Sequence, residues 1–363
     1  MNGTERSRTG AGPRIVFAIA AKDIVEAVTN KAILVNLLSV VFVMVMWQVF
    51  PSFYKEEQAN IIVYDQGQSQ LTAEIDDDPQ YGLLAAGSLP VFQELVREEG
   101  GEALGVIIPA GFDSRSEGES QLDGYYPFAG RHKVAELKGD LEQRFSAVMG
   151  RPVRIDVAGN VLYPGADTFG ANQLIAMAFV IVPVFVSVAT VPLLMIEEKR
   201  TRTVEVLQVS PATGVQLVMG KALAGLFYCL ILSGVALMLG RTMITQWALA
   251  LAAILLGAFT LVGLGLLLGS VTDRPQLLSL WGFPLMAFLL FPVLLKAMEP
   301  ILPPALAQAL EWTPTVALAT LFRISFSEWA EWGRIGTNVG IVLMWAIPLY
   351  AVLTRLVLRS DRR

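Results

Sequence analysis

Six apolar stretches, each about long enough to cross a bilayer, constrain this chain more than anything else in it. They run at about Ala32–Phe50, Asn172–Met195, Ala222–Gly240, Ala248–Val271, Leu277–Met298 and Ile335–Leu358. A helix needs roughly 20 apolar residues to span hydrocarbon, and a lone backbone amide left unpaired there costs several kcal/mol. With 54% hydrophobic and only 16% charged residues, the composition is far from that of an ordinary soluble domain. The expected fold is a polytopic α-helical membrane protein with six transmembrane helices. An α+β domain is inserted between helices 1 and 2.

The charges are distributed as a membrane would sort them. Between Pro51 and Ala171 there are 20 acids against 9 bases, whereas the rest of the chain holds 12 acids against 18 bases. Bases gather at Arg6, Arg8, Arg14, Lys22 and Lys31, at Lys199, Arg200, Arg202 and Lys221, at Arg274, and at Arg355, Arg359, Arg362 and Arg363. The short link between the third and fourth stretches has only Arg241. Positive residues favour the cytoplasmic side, so both termini are expected there and the acidic insertion outside. No short apolar core with a small-residue cleavage site stands in Met1–Lys31, so the first stretch is expected to remain as an uncleaved anchor. The bases form no aromatic-interleaved stripe, which argues against nucleic-acid binding.

The division that follows is residues 1–31 as a cytoplasmic N-terminus, 32–50 as helix 1, 51–171 as the extracytoplasmic domain and 172–363 as helices 2–6. Within 1–31, Ile15, Val16 and Ile19 set against Lys22, Asp23 and Glu26 give an amphipathic helix suited to the interface. In the insertion, Ile61–Asp65, Ala103–Pro109 and Val153–Val157 read as strands. Val91–Glu99 and Arg131–Met149 read as helices, the second from Val134, Leu137, Leu141, Phe145 and Val148 at helical spacing. The acids Asp76–Asp78 lack the ligand spacing of a calcium loop and read as a solvated turn. Gly265 and Gly269 form a small-xxx-small pair for close helix contact, and Pro183, Pro192, Pro284 and Pro292 mark expected kinks. Pro303, Pro304 and Pro314 break 300–332 into two short re-entrant half-helices.

Chemistry-bearing residues are scarce. The single His132 reads as a surface side chain, and the single Cys229 excludes an intrachain disulfide. No catalytic, cofactor-binding or metal-binding set emerges. Gly214–Lys221 resembles a phosphate loop only loosely. Five residues rather than four separate its glycines, and Ala222 stands where a magnesium-binding Ser or Thr is required. Lys296 is taken as the one charge near a span interior, close enough to an end to snorkel. What remains is Glu197–Pro211, EEKRTRTVEVLQVSP, a charged element stranded between apolar runs. Such density of charge cannot sit in hydrocarbon, so it is read as an aqueous cytoplasmic element where a soluble partner could dock.

The stretch Met195–Leu226, MIEEKRTRTVEVLQVSPATGVQLVMGKALAGL, resembles the hallmark of permease subunits of ABC-2 type exporters. The matching residues are Glu197, Glu198, Lys199, Thr203, Glu205, Ser210, Pro211, Gly220 and Lys221. One departure is Thr201-Arg202, where the family often places a glycine before the threonine. The N-terminal amphipathic segment resembles the family's elbow helix, and Thr313–Arg323 the segment before its final span. Ala103–Phe112 resembles the outer domain of the subgroup that includes bacterial sodium- and drug-efflux permeases.

The resemblance implies the permease subunit of an ATP-driven exporter, not itself an enzyme, in a bacterial plasma or inner membrane. ATP and magnesium would bind a separate ABC ATP-binding subunit, with no cofactor on this chain. A second permease copy or a related permease would complete the membrane half. A coupling helix near 197–211 would carry Glu197, Glu198, Lys199, Arg200, Thr203, Glu205, Ser210 and Pro211 to the ATPase. The competing reading is a membrane-anchored receptor or assembly factor acting through the acidic outer domain. Six spans are more than anchoring requires. An ion-coupled carrier fits less well, for want of intramembrane acids and an inverted repeat.

Overall fold

The computed structural model describes residues 8–54, 59–99, 103–114, 120–165, 171–200, 214–272, 274–296, 298 and 302–360. Two helices open the chain, α1 (Arg8–Thr29) and α2 (Lys31–Tyr54). Asn30 separates them, and its side-chain oxygen accepts from the Ile33 amide at 3.4 Å, so it starts α2 as an N-cap.

The insertion builds a mixed six-stranded sheet from β1 (Ala59–Asp65), β2 (Tyr81–Ala85), β3 (Ala103–Ile108), β4 (Ser120–Pro127), β5 (Val153–Asp156) and β6 (Val161–Leu162). Its order is β2-β1-β3-β4-β5, with β6 paired to the far end of β4. β1 is parallel to both β2 and β3, while β3 and β4 run antiparallel. Helices α3 (Gln70–Asp76), α4 (Leu89–Glu98) and α5 (Val134–Met149) cover it. Side chains alternate along each strand, so Ile61, Val63, Leu104 and Val106 meet α3 and α5 through Leu71, Ile75, Leu141 and Phe145. Ile62 and Ala103 turn the other way onto Phe92 and Val96 of α4. A central strand covered on both faces must be apolar throughout, which is why Ile61-Ile62-Val63 reads as an unbroken run. Gly105 faces α4, and a Cβ there would lie 2.6 Å from Phe92, so glycine is what lets the ring seat against the strand.

The bundle centres on a broken helix. α6 (Ala171–Phe185) passes through a π-turn at Val186–Thr190 into α7 (Val191–Arg200). Pro183 lacks an amide proton and disturbs the ladder just before that turn. The slack is taken up from two sides. The Asn36 amide on α2 donates to the Ala189 carbonyl at 3.3 Å, and α8 (Gly214–Leu239) and α9 (Trp247–Val271) close around the turn. Gly265 and Gly269 of α9 face the turn and α7, where added Cβ atoms would lie 2.1 Å from Ser187 O and 2.8 Å from Met195 Cβ. The small-xxx-small pair therefore sets the closest helix approach in the bundle's centre.

α10 (Pro275–Lys296) and α13 (Trp332–Ser360) are peripheral and leave Trp281, Phe283, Phe288, Phe291 and Ile347 exposed. Between them, α11 (Pro304–Glu311) and α12 (Pro314–Phe326) form two short helices, as the prolines in 300–332 predict. α12 is buried along nearly its whole length. Thr315 Oγ1 donates to Leu289 O on α10, while the amides of Thr245 and Gln246 donate to Ser325 O at its far end.

Five helical segments among the described residues are long and apolar enough to cross a membrane: Asn172–Ile196, Gly214–Leu239, Trp247–Val271, Gln276–Lys296 and Trp332–Leu358. The stretch expected as helix 1 lies in α2, where the described apolar run, Ile33–Met46, is shorter. The chain is thus a polytopic helical membrane protein with a sheet-containing insertion between α2 and α6.

Candidate functional site

The charged element begins on helix. α7 carries the backbone of Glu197, Glu198, Lys199 and Arg200 as its last turn, directly continuing the most buried span of the bundle. Thr203, Glu205, Ser210 and Pro211 lie outside the described residues. The chain resumes at Gly214 as α8, two turns earlier than the apolar run at Ala222 suggests, because helix does not end where apolarity ends.

That earlier start puts Lys221 inside the helix. Lys221 is 1% exposed, and its ammonium donates to the Leu194 carbonyl of α7 at 2.8 Å and to Asp23 Oδ2 of α1 at 3.2 Å. Asp23 is itself only 4% exposed. A residue counted toward the solvated loop is instead half of a buried ion pair, and Lys296 is not the sole charge near a span interior. Lys296 pairs with Glu311 at 2.9 Å, across the ends of α10 and α11.

Asp23 also departs from the expected amphipathic pattern. Val16, Ile19, Ala20 and Asp23 recur at three- and four-residue spacing, so Asp23 belongs to the buried face rather than to the polar one with Lys22. The same spacing could have flagged it from sequence: an acid on an apolar stripe needs a cation partner. Two further contacts fix α1 in place. A Cβ on Gly220 would lie 2.6 Å from Ile19, so glycine permits the close approach, and the Tyr228 hydroxyl donates to Ile24 O. Gly220 and Lys221, adjacent in sequence, thus serve one joint: the first by absence of a side chain, the second by charge.

The insertion touches the bundle at its opposite end. Arg131 lies over the Phe128 ring and donates to Thr242 O at 2.8 Å, in the turn between α8 and α9. Gln246 in the same link donates to Ser327 O at 3.0 Å, beside the end of α12. His132 is exposed. Of the three acids at 76–78, Asp76 and Asp77 are exposed, and Asp78 is paired with Arg144 of α5. Among the described residues no group of three or more His, Cys, Asp or Glu side chains converges as a metal site would require. Cys229 is buried in α8.

A profile described as ABC-2 family transporter protein matches residues 32–355. No curated protein and no solved structure matches the chain. With a match reaching from the first apolar stretch through the insertion and the α7–α8 arms into the last span, the chain belongs to the ABC-2 family of transporter proteins.

Proposed function

We propose that this chain is the permease subunit of an ATP-driven exporter, moving its substrate out of the cytoplasm when paired with a separate ABC ATP-binding subunit. On this reading α2 is the first of six spans, both termini are cytoplasmic, and the acidic 51–171 insertion is extracytoplasmic. A second copy or a related permease completes the membrane half, and ATP and magnesium bind the partner. Residues 300–332 form the re-entrant segment. The membrane is a bacterial cell membrane.

The observation that carries the reading is α7. Beyond the π-turn, the most buried span of the bundle runs as unbroken α7 from Val191 into the acid–base turn Glu197–Arg200. A helix end that carries charge out of the buried span is what a membrane domain needs to receive motion from a soluble partner. Glu197, Glu198, Lys199, Arg200, Thr203, Glu205, Ser210 and Pro211 are assigned to that contact. Binding of two ATP molecules would draw the ATPases together and bias the permease pair between inward- and outward-open states.

The test is purification of the tagged chain from its own host's membranes, with the co-purifying proteins identified by mass spectrometry. An ATP-binding subunit is expected in near-stoichiometric amount, and Glu198→Lys or Glu205→Lys should deplete it while the permease still inserts. Recovery of the wild-type chain with no ATP-binding subunit would sink the reading. Undiminished recovery with both variants would remove the coupling role from these residues.

A further inference from the structure

Two helical arms enter and leave the charged connection, α7 ending at Arg200 and α8 beginning at Gly214. Packing alone, such as Val191 of α7 against Gly225 of α8, leaves the arms free to slide when the connection is pushed. A buried ammonium ties them more tightly. Lys221 Nζ reaches Leu194 O, two turns back from the end of α7, and Asp23 on α1, with both partners in the same dry joint. Burying a full charge pair is costly, and an apolar pair of similar volume would hold helices together as well or better. An ammonium does something an apolar side chain cannot. It makes directional bonds to two different helices at once, so their relative positions are fixed rather than merely adjacent.

We propose that Lys221, held by Asp23, is a positioning residue that makes α1, α7 and α8 move as one body around the charged connection. A push on the connection then enters the bundle through both arms together and carries α1 along. Gly220 against Ile19 and the Tyr228 hydroxyl on Ile24 O complete the joint, one on either side of the ion pair. The far ends of these arms are themselves tied. α7 continues through the π-turn into α6, and α8 leads to the Arg241–Gln246 link, which meets Arg131 of the insertion and the end of α12. A rigid joint at one end therefore has a defined route to the other.

This rests on the exporter reading, and the test separates the two. Full-length wild type, Lys221→Met, Asp23→Asn and the double variant are compared in lipid nanodiscs by hydrogen exchange, alone and with the co-purified ATP-binding subunit trapped by MgATP and orthovanadate. Each single variant breaks the buried ion pair by removing one partner and is expected to lower thermal stability. The double variant removes both charges and should recover much of that loss.

If the joint is only structural, the double variant also recovers wild-type behaviour in every other respect. If it positions, α1 amides in the double variant still exchange roughly tenfold faster than in wild type. The trapped complex then fails to show the change in protection at residues 241–246 that wild type shows. Wild-type exchange and a wild-type trapping response in a double variant that binds its ATPase normally would overturn the proposal and leave the exporter reading intact. A wild-type chain that holds no ATP-binding subunit would overturn both.

Discussion

Replacing Gly265 with alanine is the sharpest test of the packing at the bundle's centre. The added Cβ would lie 2.1 Å from Ser187 O, 2.9 Å from Val191 Cβ and 3.0 Å from Ser187 C. A carbon and a carbonyl oxygen in contact sit about 3.3 Å apart, so α9 must retreat locally by about 1.2 Å. The obstacle is backbone in a π-turn, which has no rotamer to swing away. Overpacking of this kind costs about 1–3 kcal/mol, and a backbone target points to the upper end. Against that stands the helix-propensity gain of about 1 kcal/mol for alanine over glycine. The net expectation is a loss of about 2 kcal/mol, which for a chain of 363 residues is a melting temperature lower by about 3 °C.

The protein carries its own probe. Its single cysteine, Cys229, is buried in α8, so a thiol-reactive fluorophore reports opening of the bundle during a thermal ramp in detergent. Gly234→Ala is the control. It sits in the same α8, its Cβ would meet nothing within 4 Å, and it should leave the midpoint unchanged or raise it. Gly265→Ala melting within about 1 °C of Gly234→Ala would refute the close approach of α9 to the π-turn.

Three further outcomes follow from the same structure. Lys221→Met should cost about 3–5 kcal/mol because it removes one partner of a buried ion pair, whereas Lys296→Met, which leaves behind an acid 57% exposed, should cost under about 1 kcal/mol; thermal shift in detergent ranks them. Phe92→Ala in the insertion should cost about 3–5 kcal/mol, since the fully buried ring fills the space over Gly105, and limited proteolysis of residues 59–165 should accelerate accordingly. Burial pushes the Asp65 carboxyl up, but bonds from the Thr72 hydroxyl and the Gly67, Ser69 and Gln68 amides outweigh it and hold the group below its ordinary 3.8. A depressed carboxylate stabilises the fold above its unfolded value and loses that contribution as pH falls through the folded one. Acid sensitivity of the insertion below about pH 4 should therefore flatten in Asp65→Asn, and an unchanged acid profile by tryptic digestion after brief acid exposure would remove Asp65 from the account.

How far the sequence carries depends on what each feature answers to. The spans are legible because hydrocarbon imposes a length, and the β1 and β3 runs because a strand covered on both faces has no polar side. α5 is legible because Leu141 and Phe145 must meet one sheet face at helical spacing. β4, SQLDGYYP, is not. Its buried positions include Ser120 and Gly124, and the strand exists because β3 and β5 offer it hydrogen bonds on either side. The π-turn is half legible: Pro183 announces trouble, but only Asn36 from α2 and Gly265 from α9 decide what form it takes.

The same division runs through the functional site. The charged turn Glu197–Arg200 stands out in the sequence because its neighbours are apolar. Asp23 is legible only as an acid on an apolar stripe, and its partner is not legible at all, because Lys221 lies 198 residues away beside a charged run and looks solvated until the fold brings the two together. Charge density marks where a membrane protein meets water. A charge on an apolar stripe marks where it is held rigid, and here the Leu194 carbonyl that Lys221 grips lies within two helical turns of the charged turn on α7. That proximity is the physical reason to expect that a variant at the joint alters what a contact at the connection can do, without altering the contact itself.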